Sequence, residues 1–94
     1  MKRFVIERTL PGVQNLAPGE LQEAAAKSNA AIAQFPGKLT WEHSYVVKDK
    51  TFCIYLAEDE AVVREHAGLS GFPANRITEV KCIVDPTTAI ALAA

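Results

Sequence analysis

Thr40-Trp41-Glu42-His43-Ser44-Tyr45-Val46-Val47, then Lys48-Asp49-Lys50, then Thr51-Phe52-Cys53-Ile54-Tyr55-Leu56: the reading of this stretch decides the fold. Two runs rich in β-branched and aromatic residues, separated by a polar break, predict a β-hairpin over residues 39–57. Its Lys-Asp-Lys turn lacks the Asn-Gly or Asp-Gly pair of the tightest hairpins. Strict alternation then sets Trp41, His43 and Tyr45 on one face of the first strand and Cys53 and Tyr55 on one face of the second. An imidazole, a thiol and two phenols on neighbouring strands are groups that hold metals and small molecules.

Outward from the hairpin, the punctuation is clear. On the N-terminal side, residues 3–8 form a strand that stops at Pro11-Gly12. Pro18 opens a helix in which Leu21, Ala24, Ala25, Ser28, Ile32 and Phe35 recur at helical spacing until Pro36-Gly37, and its alanines predict a close seat on a sheet. On the C-terminal side, Asp59 is the expected N-cap of a second helix through Leu69, closed by Gly71. Residues 76–84 alternate as a fourth strand ended by Asp85-Pro86. The order βαββαβ predicts an α+β, ferredoxin-like sandwich over residues 1–86: an antiparallel four-stranded sheet with two helices on one face. Residues 87–94 form an apolar tail.

Composition narrows the function classes. Ninety-four residues, 49% of them hydrophobic and 22% charged, fit one globular domain whose core a partner can complete. A net charge of -1 gives no basic footprint for nucleic acid. No apolar run approaches the roughly 20 residues that span a bilayer, and the first apolar run reaches Glu7 too soon for a signal-peptide core. A cytoplasmic protein with Cys53 and Cys82 as free thiols is expected. There is no Gly-rich phosphate loop or dinucleotide fingerprint.

Alternation across all four strands predicts two unlike faces. Phe4, Ile6, Ser44, Val46, Phe52, Ile54, Leu56, Val80, Cys82 and Val84 are expected beneath the helices. Val5, Glu7, Trp41, His43, Tyr45, Val47, Cys53, Tyr55, Glu79, Lys81 and Ile83 are expected opposite. That second face is too apolar to stay wet, which predicts a two-fold homodimer closed over it. His43 and Cys53 are nitrogen and sulfur ligands suited to zinc, nickel or copper, and Glu7 or Glu79 can add an oxygen. His66 falls on the sheet-packing arc of the second helix with Val62, Val63, Ala67 and Leu69, which favours a half-buried imidazole bonded to backbone; at the sheet edge it can still reach a metal site.

Glu7-Arg8-Thr9 with Pro11-Gly12, Trp41-Glu42-His43-Ser44-Tyr45, Lys50-Thr51-Phe52-Cys53-Ile54-Tyr55, Arg64-Glu65-His66-Ala67 and Gly71-Phe72-Pro73-Ala74-Asn75-Arg76-Ile77-Thr78-Glu79-Val80 together resemble a family of small bacterial proteins long labelled as a domain of unknown function. The resemblance spans nearly the whole chain. That family includes a nickel-binding, nickel-responsive, ferredoxin-like homodimer, so the resemblance implies the same fold and assembly, and a divalent transition metal, nickel first. The expectation is a metal-sensing, storing or buffering protein with His43, Cys53 and His66 as metal ligands and Glu7, Trp41, Tyr45, Tyr55 and Glu79 around them. Two other classes remain open: a cofactor-free enzyme resembling the dimeric α/β-barrel monooxygenases and isomerases, with His43 moving protons in a pocket walled by Trp41, Tyr45 and Tyr55, and a plain dimeric interaction module.

Overall fold

β1 (Lys2–Thr9) is the strand around which the rest assembles. In the computed structural model, which describes residues 1–90, β1 lies between β3 (Lys50–Ala57) and β4 (Arg76–Val80) and is antiparallel to both. β2 (Leu39–Val47) flanks β3, giving the sheet order β2-β3-β1-β4. α1 (Pro18–Ile32) connects β1 to β2, and α2 (Glu60–Ser70) connects β3 to β4. This is the ferredoxin-like α+β arrangement that the element order predicts.

The helices sit where the strands are apolar. Phe4 and Ile6 from β1, Leu39 from β2, and Cys53, Tyr55 and Ala57 from β3 form one core with Val62 and Val63 of α2. Asp59 caps α2, its Oδ1 accepting from the Val62 N–H at 3.0 Å, and Gly71 ends the helix with φ 76°, a left-handed value that glycine adopts without a steric cost. At the start of α1 the Glu20 carboxylate accepts from the Ala17 N–H at 3.1 Å, and Pro18 occupies the first turn. α1 stops at Ile32, short of Phe35, because residues beyond it close i→i+3 turns ahead of Pro36: Gln34 N–H to Ala31 and Phe35 N–H to Ile32. On α2, Leu69 is exposed and Ser70 is buried in its place.

β4 is shorter than expected, ending at Val80 and not at Val84. The cause is its partner. Val80 pairs with Arg3, and β1 begins only one residue earlier, so nothing remains to pair with Cys82 or Val84. Residues 81–90 are exposed, Cys82 among them, which removes it from the core position expected for it. Asp85 caps a short 3₁₀ turn over Pro86–Ala89. The last four residues of the predicted tail lie outside the described part of the chain.

The faces of β2 and β3 depart from simple alternation for two reasons. First, the hairpin turn has two residues, Lys48 and Asp49, so that Val47 pairs with Lys50 and Tyr45 with Phe52. A three-residue turn would have paired Tyr45 with Cys53; one residue less inverts β3 relative to β2. Second, a β-bulge at Glu42 breaks the register between Trp41, which pairs with Tyr55, and His43, which pairs with Ile54. Cys53 and Tyr55 therefore lie under the helices, and Phe52, Ile54 and Leu56 lie on the open face. Trp41 also turns inward, whereas His43, Tyr45 and Val47 stay outside. On β4, Ile77 pairs with buried Ile6 and packs on the core, which puts Glu79 in the inward frame opposite Phe4 and Val80 outside.

Candidate functional site

The inward face holds a cleft between α1, the hairpin and the loop after β1. Its volume is about 520 Å³. It exists because the helix surface over it is built of small side chains: Ala24 and Ala25 of α1 face the sheet and leave space where larger residues would fill it. Protein interiors rarely keep voids larger than a water molecule, so a space of this size falls within the range of ligand pockets. Leu10, Leu16, Leu21 and Val46 add apolar wall, and Trp41, Cys53 and Tyr55 form its sheet side.

The far wall is held by the hairpin turn. Asp49 adopts φ 58°, a left-handed conformation that aspartate tolerates better than most residues, and its Oδ1 accepts from the Gly12 N–H at 2.8 Å and from Gln14 Nε2 at 3.3 Å. The Leu10 N–H donates to the Asp49 carbonyl at 2.9 Å, and the Asp49 N–H donates to Gln14 Oε1 at 2.9 Å. These bonds fasten the loop after β1, including buried Val13, to the tip of β2 and β3.

Arg8, Ser28 and Tyr55 are among the polar residues that reach this apolar space. Arg8 is 3% exposed, and its Nη1 donates to the carbonyls of Pro73 at 2.8 Å and Phe72 at 3.3 Å. Tyr55 is 2% exposed, with its hydroxyl 3.3 Å from Ser28 Oγ, and burial pushes its phenol above the ordinary range. Its ring stacks on Trp41 at 6.4 Å and meets the His66 ring at 5.3 Å. Trp41 is anchored by its Nε1 donating to Ser44 Oγ at 3.0 Å. Behind this wall His66 is 1% exposed; its Nε2 lies 3.3 Å from the Ser28 carbonyl, which can only accept, so Nε2 carries the hydrogen. Nδ1 is then a bare acceptor, buried without a partner among the described residues. Burial holds the imidazole below its ordinary pKa, with the Arg8 charge acting in the same direction.

The open sheet face carries His43. Its Nε2 is 3.1 Å from the Tyr45 hydroxyl, with the two rings edge to face at 5.0 Å. Beside them the Glu42 carboxylate takes two hydrogen bonds from Arg3, at 2.6 and 3.2 Å, which hold it below the usual carboxylate range. Arg3, Glu42, His43, Tyr45, Ile54, Val80 and Ile83 line a shallow cleft of about 290 Å³. Glu7 lies on the same face between Lys50 and Arg76, at 3.8 and 3.9 Å. Glu79 pairs with Lys81 at 2.9 Å, a bond that lowers its pKa, and stands in the opposite frame.

The residues grouped from the sequence thus divide between the two faces. His43, Tyr45 and Glu7 share the open face, whereas Trp41, Cys53, Tyr55 and His66 belong to the helix-covered layer. The expected shared face of His43 and Cys53 is corrected by the two-residue turn, and Cys53 Sγ instead lies 3.6 Å from Thr51 Oγ1. Among the described residues, no three His, Cys, Asp or Glu side chains come together to hold a metal ion. Arg8 and Ser28 were missed as site residues. The signal for Arg8 was available: Phe4, Ile6 and Arg8 alternate on one face of β1, so a core-facing frame carries the guanidinium inward.

Residues 4–80 match the model of the family described as nickel responsive protein SCO4226-like. Among solved structures, the crystal structure of SCO4226 from Streptomyces coelicolor A3(2) is similar, with a TM-score of 0.69 and 21% identity over 87% of this chain and 99% of that one. At that identity the likeness speaks for the fold. No curated protein matches the sequence.

Proposed function

Because the chain belongs to the SCO4226-like nickel responsive protein family, we propose that it is a cytoplasmic homodimer that binds nickel or a similar divalent transition metal in order to sense or buffer it. Family membership is the observation that carries this reading. In this reading the ion sits on the open sheet face, and the exposure of His43 supports that choice. His43 is the exposed histidine, and it stands on the sheet face that no helix covers, among Val5, Phe52, Ile54 and Val47. Pairing two such faces about a two-fold axis would bury apolar surface and bring a second imidazole toward the first. Two imidazoles with carboxylate or phenol oxygens from Glu7, Glu42 or Tyr45 are donors of the types that nickel accepts. Cys53 and His66, in the helix-covered layer, stand outside this set.

Calorimetric titration of the metal-free protein with nickel and with zinc tests the reading. Saturable nickel binding at one ion or less per chain, weakened at least roughly ten-fold in His43→Ala, is the expected outcome. Binding that His43→Ala leaves unchanged removes the ligand assignment, and no binding of either ion removes the metal function.

A further inference from the structure

The pocket beneath α1 contains a charge that no carboxylate among the described residues balances. Arg8 is buried, yet among the described residues no carboxylate forms an ion pair with it. Its Nη1 is satisfied by the Phe72 and Pro73 carbonyls. The Tyr55 hydroxyl is its other polar neighbour and is likewise neutral, so no partner of the guanidinium among the described residues carries a negative charge. A guanidinium removed from water without a counter-charge is costly, and its planar fork matches the two oxygens of a carboxylate. Around it the walls are almost wholly apolar: Leu16, Leu21, Ala24, Ala25 and Val46, with the Trp41 ring opposite.

We propose that this pocket binds a small organic acid, its carboxylate on the Arg8 guanidinium and its hydrocarbon part between α1 and the inward sheet face. The volume of about 520 Å³ fits such a molecule. Ser28 and the Tyr55 hydroxyl, already bonded to each other, border the same space and offer a second polar contact to an acid with an additional hydroxyl or carbonyl. The site is separate from the open face that carries His43, so it stands whether or not the protein binds nickel.

Trp41 is the single tryptophan of the chain and lines the pocket, which makes its emission a direct reporter. The metal-free full chain is titrated with octanoate and with 4-phenylbutanoate, and in parallel with octan-1-ol and 4-phenylbutan-1-ol, which keep the hydrocarbon and lack the charge. At least one acid is expected to give a saturable change and to bind roughly ten-fold or more tightly than its alcohol, because a hydrogen bond to a charged group is worth at least that factor. Arg8→Lys, which keeps the charge and loses the fork, should cut that preference. Ala25→Phe, which fills the pocket and leaves Arg8 in place, should abolish the change while thermal unfolding shows a folded chain. Absence of saturable binding for both acids, equal binding of acid and alcohol, or undiminished binding in folded Ala25→Phe overturns the proposal.

Discussion

His66 occupies a site that favours its neutral form, and stability should register this. Burial lowers its folded pKa below the unfolded value of about 6.5, so as pH falls the unfolded chain takes up the proton first. The stability that depends on neutral His66 is complete above about pH 6.5 and is lost as pH falls through the folded pKa. Calorimetry should show Tm dropping between pH 7.5 and 5.5. His66→Gln, whose amide can still donate to the Ser28 carbonyl, should flatten that drop. The depressed carboxylates of Glu42, Glu79 and Asp85 give up their charge at lower pH, so their contribution falls outside this window. The helical arc of Val62, Val63 and Ala67 made the inward position of His66 legible in the sequence. Its unpartnered Nδ1 was not, because that depends on what α1 and the sheet place around the ring.

Among the elements, the hairpin turn governs most. Asp49 both takes the left-handed conformation that permits a two-residue connection and bonds Gly12 and Gln14 across the pocket's far wall. Asp49→Ala should destabilise the protein by about 1–3 kcal/mol in urea unfolding, through the left-handed penalty and the lost acceptor. Asp49→Asn, which tolerates that conformation and keeps an acceptor oxygen, should remain within about 1 kcal/mol of wild type. Equal losses for the two substitutions would mean that the turn owes its shape to the strands and not to Asp49. The existence of the hairpin was plain from its residue types, and so were both helices between their proline and glycine boundaries. Its faces were not. Lys48-Asp49-Lys50 is compatible with a turn of two or three residues, and the difference of one inverts every side chain of β3. The bulge at Glu42 has no mark in composition, since it arises where Trp41 seeks the core and His43 seeks water within three residues.

At the scale of the whole molecule, the sheet has one face covered by the helices and one open face, and the open one carries an apolar patch among its ion pairs. Tyr45 and Val47 are exposed there beside Val5, Phe52 and Ile54. If two chains pair through it, Val47→Glu should shift sedimentation from dimer to monomer while leaving the fold intact, because it places two carboxylates in a desolvated interface. A wild-type chain that sediments as a monomer would remove the assembly. The sheet also ends in two free margins, at β2 and β4. Such margins invite another strand to add itself, which is how sheet proteins aggregate. β4 is short, five residues long, and offers little to a newcomer. β2 is nine residues long, but Glu42 sits in its middle as an extra residue, and a bulged margin cannot offer one continuous ladder. The residue that parts Trp41 from His43 thus also interrupts the ladder at the margin, which disfavours open-ended growth by strand addition.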